Sequence, residues 1–166
     1  MATSGIHHAA FSVGNLERSL DFYCRGLGLR KTLEMPIRGE EVTRQLRLLP
    51  GQTGRAAYVQ GPGKVGQIEL IEWARPSETV TRPKRPGDPG VFLLSFEVPK
   101  DEIAPLEAHL RAFGAPIYSP LQTAVVENYG EIAVFVVEDP DGMLVEIVSL
   151  PTREEIMAFR AKGLTT

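Results

Sequence analysis

The sequence predicts an α+β fold: two tandem βαβββ modules whose curved mixed sheets enclose a cleft, followed by a C-terminal helix. Three observations predict it. The alternating apolar stretch GIHHAAFSV at 5–13 is echoed by GVFLLSFEV at 90–98. Each runs through a polar break into apolar residues at helical spacing. Each helix is then followed by further strand signals separated by Gly and Pro punctuation. A single βαβββ unit covers only one face of its sheet, so two units pair to bury what is left, with the uncovered faces lining a cleft.

In chain order, the first strand is expected over Ile6 to Val13, ended by Gly14 and Asn15, with Asn15 as helix N-cap. Leu16, Leu20, Tyr23 and Leu27 mark one helical stripe, closed by Gly26 and Gly28. A strand follows near Leu29 to Met35, then a polar stretch over 39–51 that reads as a loop with a short helical turn. RAAYVQ and GQIELIEW are two strands joined by the turn GPGKVG. The second copy begins with a strand over Val91 to Val98, broken by Pro99. Ile103, Leu106, Leu110 and Phe113 give its helix, closed by Gly114, and strand signals follow near Ile117, over Thr123 to Glu127, and in EIAVFVVE and GMLVEIVSL. The tail opens with Thr152 and has Glu155 three residues on, a capping box, with Ile156, Met157 and Phe159 expected to pack it. The expected boundaries are 1–74 for the first module, 75–90 for a proline-rich connection, 91–151 for the second module and 152–166 for the final helix, all within one structural domain.

Composition narrows the function. The chain has 166 residues, 43% hydrophobic, with a net charge of −3. There is no basic field to hold nucleic acid or an anionic membrane, and no apolar run approaches the ~18 residues that span a bilayer. MATSG lacks the charged and apolar regions of a secretory signal, so the cytosol is the expected compartment. The lone Cys24 has no partner for a disulfide and lies among aromatics on a helix, where an inert buried thiol is expected.

Period-two alternation selects the residues of the cleft. Aligning the two first strands on Val13 and Val98 sets His8 against Leu93, Ala10 against Ser95 and Ser12 against Glu97. His7 falls on the opposite parity and is expected to point away. Aligning the last strands sets IELIEW on VEIVSL, and hence Glu69 on Glu146. A carboxylate among aliphatics is costly unless paired or bound to a cation. Two at matching positions, together with His8, therefore read as a site. The competing reading is a sheet edge or solvated face for the carboxylates and a structural histidine for His8.

IHHAAFSVGNLERSLDFYCRGLGL and DPDGMLVEI resemble the opening strand and helix, with its FY…LG signature, and the closing turn and strand of the vicinal oxygen chelate superfamily. That superfamily includes glyoxalase I, methylmalonyl-CoA epimerase, bleomycin-binding proteins and extradiol dioxygenases. The resemblance covers nearly the whole chain. It implies a divalent metal ion (Mn, Mg, Fe, Co, Ni or Zn) held by His8, Glu69 and Glu146, with Leu93 in place of a usual ligand. The alternative is a metal-free cleft in which a glutamate works alone. The implied chemistry is proton transfer beside a carbonyl of a small oxygenated substrate, as in a lyase, isomerase or epimerase, with Glu69 or Glu146 as base. A drug- or metabolite-binding protein of the bleomycin-resistance type is the alternative, and a ring-cleaving dioxygenase a third. Leu93, Trp73, Tyr129 and Arg47 are the expected substrate contacts. Tyr58 and Phe96 are further rings that could stack on a guest, and Arg44 shares with Arg47 a loop that could cover the cleft. A homodimer is expected as the assembly.

Overall fold

The computed structural model describes residues 5–63, 66–77 and 83–163. The backbone divides into two compact units, Met1–Thr81 and Arg82–Thr166. The first carries β1 (His8–Ser12), α1 (Leu16–Leu20, continuing as a π-helical turn over Asp21–Gly26), β2 (Arg30–Ile37), α2 (Glu40–Leu46), β3 (Gly54–Gln60) and β4 (Gln67–Trp73). The second carries β5 (Leu93–Glu97), α3 (Ile103–Phe113), β6 (Ile117–Val126), β7 (Gly130–Glu138), β8 (Leu144–Ser149) and α4 (Arg153–Ala161). The sheets have the same order, β1-β4-β3-β2 and β5-β8-β7-β6. In each, the first strand lies parallel to the last and the other pairs are antiparallel. This is the mixed α+β architecture that the repeated pattern predicts.

Asn15 caps α1 as expected, its Oδ1 accepting from the Arg18 N–H at 2.9 Å. The stripe then departs from regular spacing. Leu27 N–H donates to the Phe22 carbonyl, five residues back, at 2.9 Å. The extra residue in that turn shifts the buried side by one position, so Phe22 and Gly26 are buried and Leu27 is only half-buried. Leu16, Leu20, Phe22 and Tyr23 form the covered side of the first unit, with Leu70, Ala57 and Val59 also buried. Gly28, at φ +75, takes the left-handed turn into β2.

The second unit corrects two expectations. The separate strand signals near Ile117 and over 123–127 belong to one strand, β6, whose pairing with β7 shifts register twice along its length. A strand that absorbs bulges loses its strict alternation, which is why it read as two. In α4 the capping box is present, with Thr152 Oγ1 accepting from the Glu155 N–H at 3.2 Å and Glu155 Oε2 accepting from the Thr152 N–H at 2.7 Å. Ile156 and Phe159 are half-buried, but Met157 is 59% exposed, because it falls off their stripe.

The connection expected over 75–90 and the turn over 61–66 lie partly outside the described residues, as do 1–4 and 164–166. The part of the connection from 83 to 90 forms no helix or strand and is pinned to the second unit. Arg85 donates to Glu138 Oε1 at 2.7 Å and to the Gly142 carbonyl at 2.9 Å, and its guanidinium lies 5.7 Å from the Tyr118 ring centroid.

Candidate active site

Cross-strand register decides which side chains share the open face of each sheet, because directly opposed residues point to the same side. In the first unit, Glu69 lies opposite Ala10 on β1 and Tyr58 on β3, and Tyr58 lies opposite Leu33 on β2. One step along, Ile71 lies opposite Ser12 and Ala56, and Ala56 lies opposite Met35. His8 is two residues before Ala10 and points the same way. The face thus runs from a polar end, with His8, Glu69 and Tyr58, to an apolar end, with Ile71, Ala56, Ile37 and Trp73 packed beneath Val42 and Leu48 of the α2 segment.

At the polar end the groups meet. His8 Nε2 is 3.5 Å from Glu69 Oε2, and the Glu69 side chain is only 13% exposed. The Tyr58 hydroxyl donates to Glu69, and burial, with this hydrogen bond and the carboxylate charge in support, pushes its pKa up to about 12. The phenol therefore remains a proton donor to the carboxylate across the physiological range. The His8 ring packs edge-on against Tyr58, with centroids 5.5 Å apart. His7 does not point away as parity predicted. β1 begins at His8, so alternation does not govern His7, and its Nδ1 lies 2.8 Å from His8 Nδ1.

In the second unit Glu146 lies opposite Ser95 and Val136, the positions that match Ala10 and Tyr58. Its partner comes from the other neighbour: Ser95 Oγ donates to Glu146 Oε2 at 2.6 Å. Leu93 lies on the same face, opposite Leu144, as His8 lies opposite Gln67. The register thus reproduces the alignment of the two copies.

The other predicted contacts are placed as follows. Trp73 is on the face of Glu69, but its indole N–H is spent on Ser12 Oγ at 2.9 Å. Arg47 is the left-handed C-cap of α2, at φ 52. Tyr129 sits in the β6–β7 turn, seven residues along from Val136, or roughly 23 Å at ~3.3 Å per residue, so it is not brought to Glu146. Phe96 opposes Ile147, on the face away from Glu146. Sequence reasoning gave Tyr58 no role towards Glu69 and missed Ser95 as a partner for Glu146. Ser95 stood in the strand alignment, whereas Tyr58 required the β3–β4 register, which a turn of uncertain length conceals.

Among the described residues, no group of three or more His, Cys, Asp or Glu side chains gathers to hold a metal ion. The His8–Glu69 pair supplies two donors towards such a set. It combines an imidazole nitrogen and a carboxylate oxygen whose 3.5 Å separation is less than the sum of two metal–ligand bonds of ~2.0–2.2 Å.

A family model, the Glyoxalase/Bleomycin resistance protein/Dioxygenase superfamily, matches residues 5–147. MhqO of Bacillus subtilis (strain 168), which carries the name of a ring-cleaving dioxygenase, is 32% identical over 92% of this chain. The chain spans only 41% of its length. A 2-epi-5-epi-valiolone epimerase of Actinomyces sp. is 28% identical over 95% of this chain and 89% of its own. The lactoylglutathione lyase-like protein terB of Aspergillus terreus is 30% identical over 88% and 75%. A glyoxalase family protein from Bacillus cereus superposes with a TM-score of 0.75 at 19% identity, over 92% of this chain and 99% of the other, a likeness of fold. These names span oxidation, epimerisation and lyase chemistry, so they agree on ancestry and leave the reaction open. With the twice-repeated βαβββ order and its matched glutamates, they establish that the chain belongs to the Glyoxalase/Bleomycin resistance protein/Dioxygenase superfamily.

Proposed function

We propose that this protein is a glyoxalase-like lyase, isomerase or epimerase that moves a proton beside a carbonyl of a small oxygenated substrate, with Glu69 as the base. The observation that carries the reading is the setting of Glu69. Its carboxylate is largely withdrawn from water, steadied by the Tyr58 hydroxyl, and faces His8. A base so held needs little reorganisation when it takes a proton. Tyr58 orients the carboxylate by donating a hydrogen bond to it. His8 stands where a developing negative charge on the substrate would lie. Glu146 is proposed as a third donor on the duplication alone. With His8 and Glu69 it would hold a divalent ion, which when bound polarises two vicinal substrate oxygens.

A second reading, sequestration of an apolar guest, is favoured by Leu33 and Met35. They are 50% and 42% exposed on the face that carries Glu69. In an enzyme the same side chains would seat the apolar body of a substrate whose oxygens lie at the polar end. Cytosolic location belongs to this proposal, supported by a single cysteine in the free form. So does a homodimer, supported by apolar Tyr118, Val125 and Val126 left exposed on the edge strand β6. Among the described residues, no helix is long and apolar enough to cross a membrane.

The test is Glu69→Gln, which keeps shape and removes the proton acceptor. With a panel of small hydroxyketones and thioesters in deuterated solvent, α-proton exchange should fall on the order of 10²–10⁴-fold with the fold intact. Undiminished exchange would remove Glu69 as the base, and a wild type that binds an aromatic compound tightly yet exchanges nothing would transfer the assignment to the binding protein.

A further inference from the structure

Beyond the Glu69 row, the first sheet carries one more row, where its four strands begin or end together. His8 opens β1 opposite Gln67, which opens β4, and Arg30 opens β2 opposite Gln60, which ends β3. The β3–β4 pairing runs to Val59 opposite Ile68, so Gln60 and Gln67 come next and oppose each other. Gln67 is two residues from Glu69 and Gln60 two from Tyr58, so this row shares the open face. Gln67 Oε1 accepts from Thr32 Oγ1 at 3.3 Å, which draws its amide across β3 towards β2. We propose that Arg30, with the amides of Gln60 and Gln67, binds an anionic oxygen group of the substrate, a carboxylate or a phosphate, remote from the carbon that Glu69 deprotonates. The inference rests on the reading of Glu69 as the base, and it narrows the substrate to a small carbonyl compound that carries such an anion.

Charges on the α1 side of this unit are matched. Lys31 meets Glu34 at 2.6 Å, and Arg55 meets Glu72 at 2.7 Å and Glu17 of α1 at 3.1 Å. Arg30, on the other side, has no ion-pair partner among the described residues. Gln60 beside it is only 9% exposed, yet its amide makes no hydrogen bond among those residues. Buried amides are normally paired. What exposure Gln60 has lies at that amide, since no fully buried polar atom is left without a partner among the described residues. The second unit fills the matching place by itself. There Glu138 lies opposite Leu144, as Gln60 opposes Gln67, and Arg85 donates to the Glu138 carboxylate at 2.7 Å. The first unit has a guanidinium in this row and an amide where the carboxylate would stand, so the anion is left for a ligand to supply. A guanidinium fork matches carboxylate and phosphate alike. Two strand spacings of ~4.8 Å and two residues of ~3.3 Å set the Arg30 and Glu69 Cα atoms roughly 12 Å apart. The long arginine side chain closes part of that gap. The rest is the length of a small substrate, and it keeps the anion clear of the Glu69 carboxylate.

The experiment compares matched ligands by calorimetric titration at low ionic strength: 4-oxopentanoate against its amide, and dihydroxyacetone phosphate against dihydroxyacetone. Wild type should bind the charged member of one pair more tightly than the neutral member, and the pair that responds tells carboxylate from phosphate. Arg30→Gln should weaken that charged ligand by about 10–100-fold, the loss of a charge-assisted hydrogen bond, and leave its neutral counterpart unchanged. Arg30→Lys keeps the charge without the fork and should recover part of the affinity. In the exchange assay, Arg30→Gln should raise KM for the charged compound and spare kcat, because the contact is the same in the ground and transition states. Arg30 is exposed, so both variants should melt as wild type does. No preference for the charged member in either pair, or a loss in Arg30→Gln that is equal for charged and neutral members, overturns the proposal. If Arg30→Gln selectively weakens the charged ligand while Glu69→Gln keeps its exchange activity, the anion site stands and the assignment of Glu69 as base fails.

Discussion

Glu69 and Glu146 occupy equivalent strand positions, yet each recruits its hydroxyl from a different neighbour. Glu69 takes Tyr58 from β3 because β1 offers only Ala10, whereas Glu146 takes Ser95 from β5 because β7 offers only Val136. The pair of glutamates was legible in the sequence because identity and spacing repeat. The hydroxyl partners were not, because each depends on which residue lies opposite, and register is set by turns that composition does not reveal. Tyr58 gives a direct check. With its pKa pushed up to about 12, chiefly by burial and then by Glu69, one tyrosine should ionise well after the ordinary range of ~10 in an absorbance titration. A phenol with a raised folded-state pKa contributes stability that is fully present below ~10 and is lost as pH rises through about 12. Glu69→Gln should lower that late step without abolishing it, since burial, the larger cause, remains. A wild-type curve with no step near 12 would remove Tyr58 from the network.

Elements were recovered where local chemistry is decisive and blurred where packing intervenes. Asn15 and the Thr152–Glu155 box mark helix starts because their side chains satisfy amide donors no matter what lies beyond. The π turn in α1 and the bulges in β6 are shifts by one residue, and a periodic pattern tolerates them without a clear sign. The position of Met157 is of that kind: it is apolar beside two packing residues, yet it projects into solvent. Two substitutions in α4 separate cap from packing. Thr152→Ala should cost about 1 kcal/mol, seen as a fall of about 2–4 °C in Tm. Met157→Lys should stay within about 0.5 kcal/mol. A larger loss from Met157→Lys than from Thr152→Ala would place that side chain in a packed interface.

At the scale of the whole molecule, the duplication has kept its geometry and divided its chemistry. The first unit carries His8, Gln67, Glu69 and Tyr58 along its open face, while the second keeps Glu146 and turns the other three positions into Leu93, Leu144 and Val136. If one ion is shared by His8, Glu69 and Glu146, losing any one donor removes most of the binding, and a second loss has little left to remove. His8→Ala, Glu146→Gln and the double variant should then show Mn²⁺ affinities in which the double is barely weaker than the weaker single. Strictly additive losses would mean separate, independent contributions. Leu93→His adds the missing donor at a position whose strand register matches that of His8, so it should tighten Mn²⁺ uptake in wild type and do little once Glu146 is Gln. If Glu146→Gln leaves both the affinity and the benefit of Leu93→His untouched, the second unit contributes no ligand. His8 and Glu69 would then work without it.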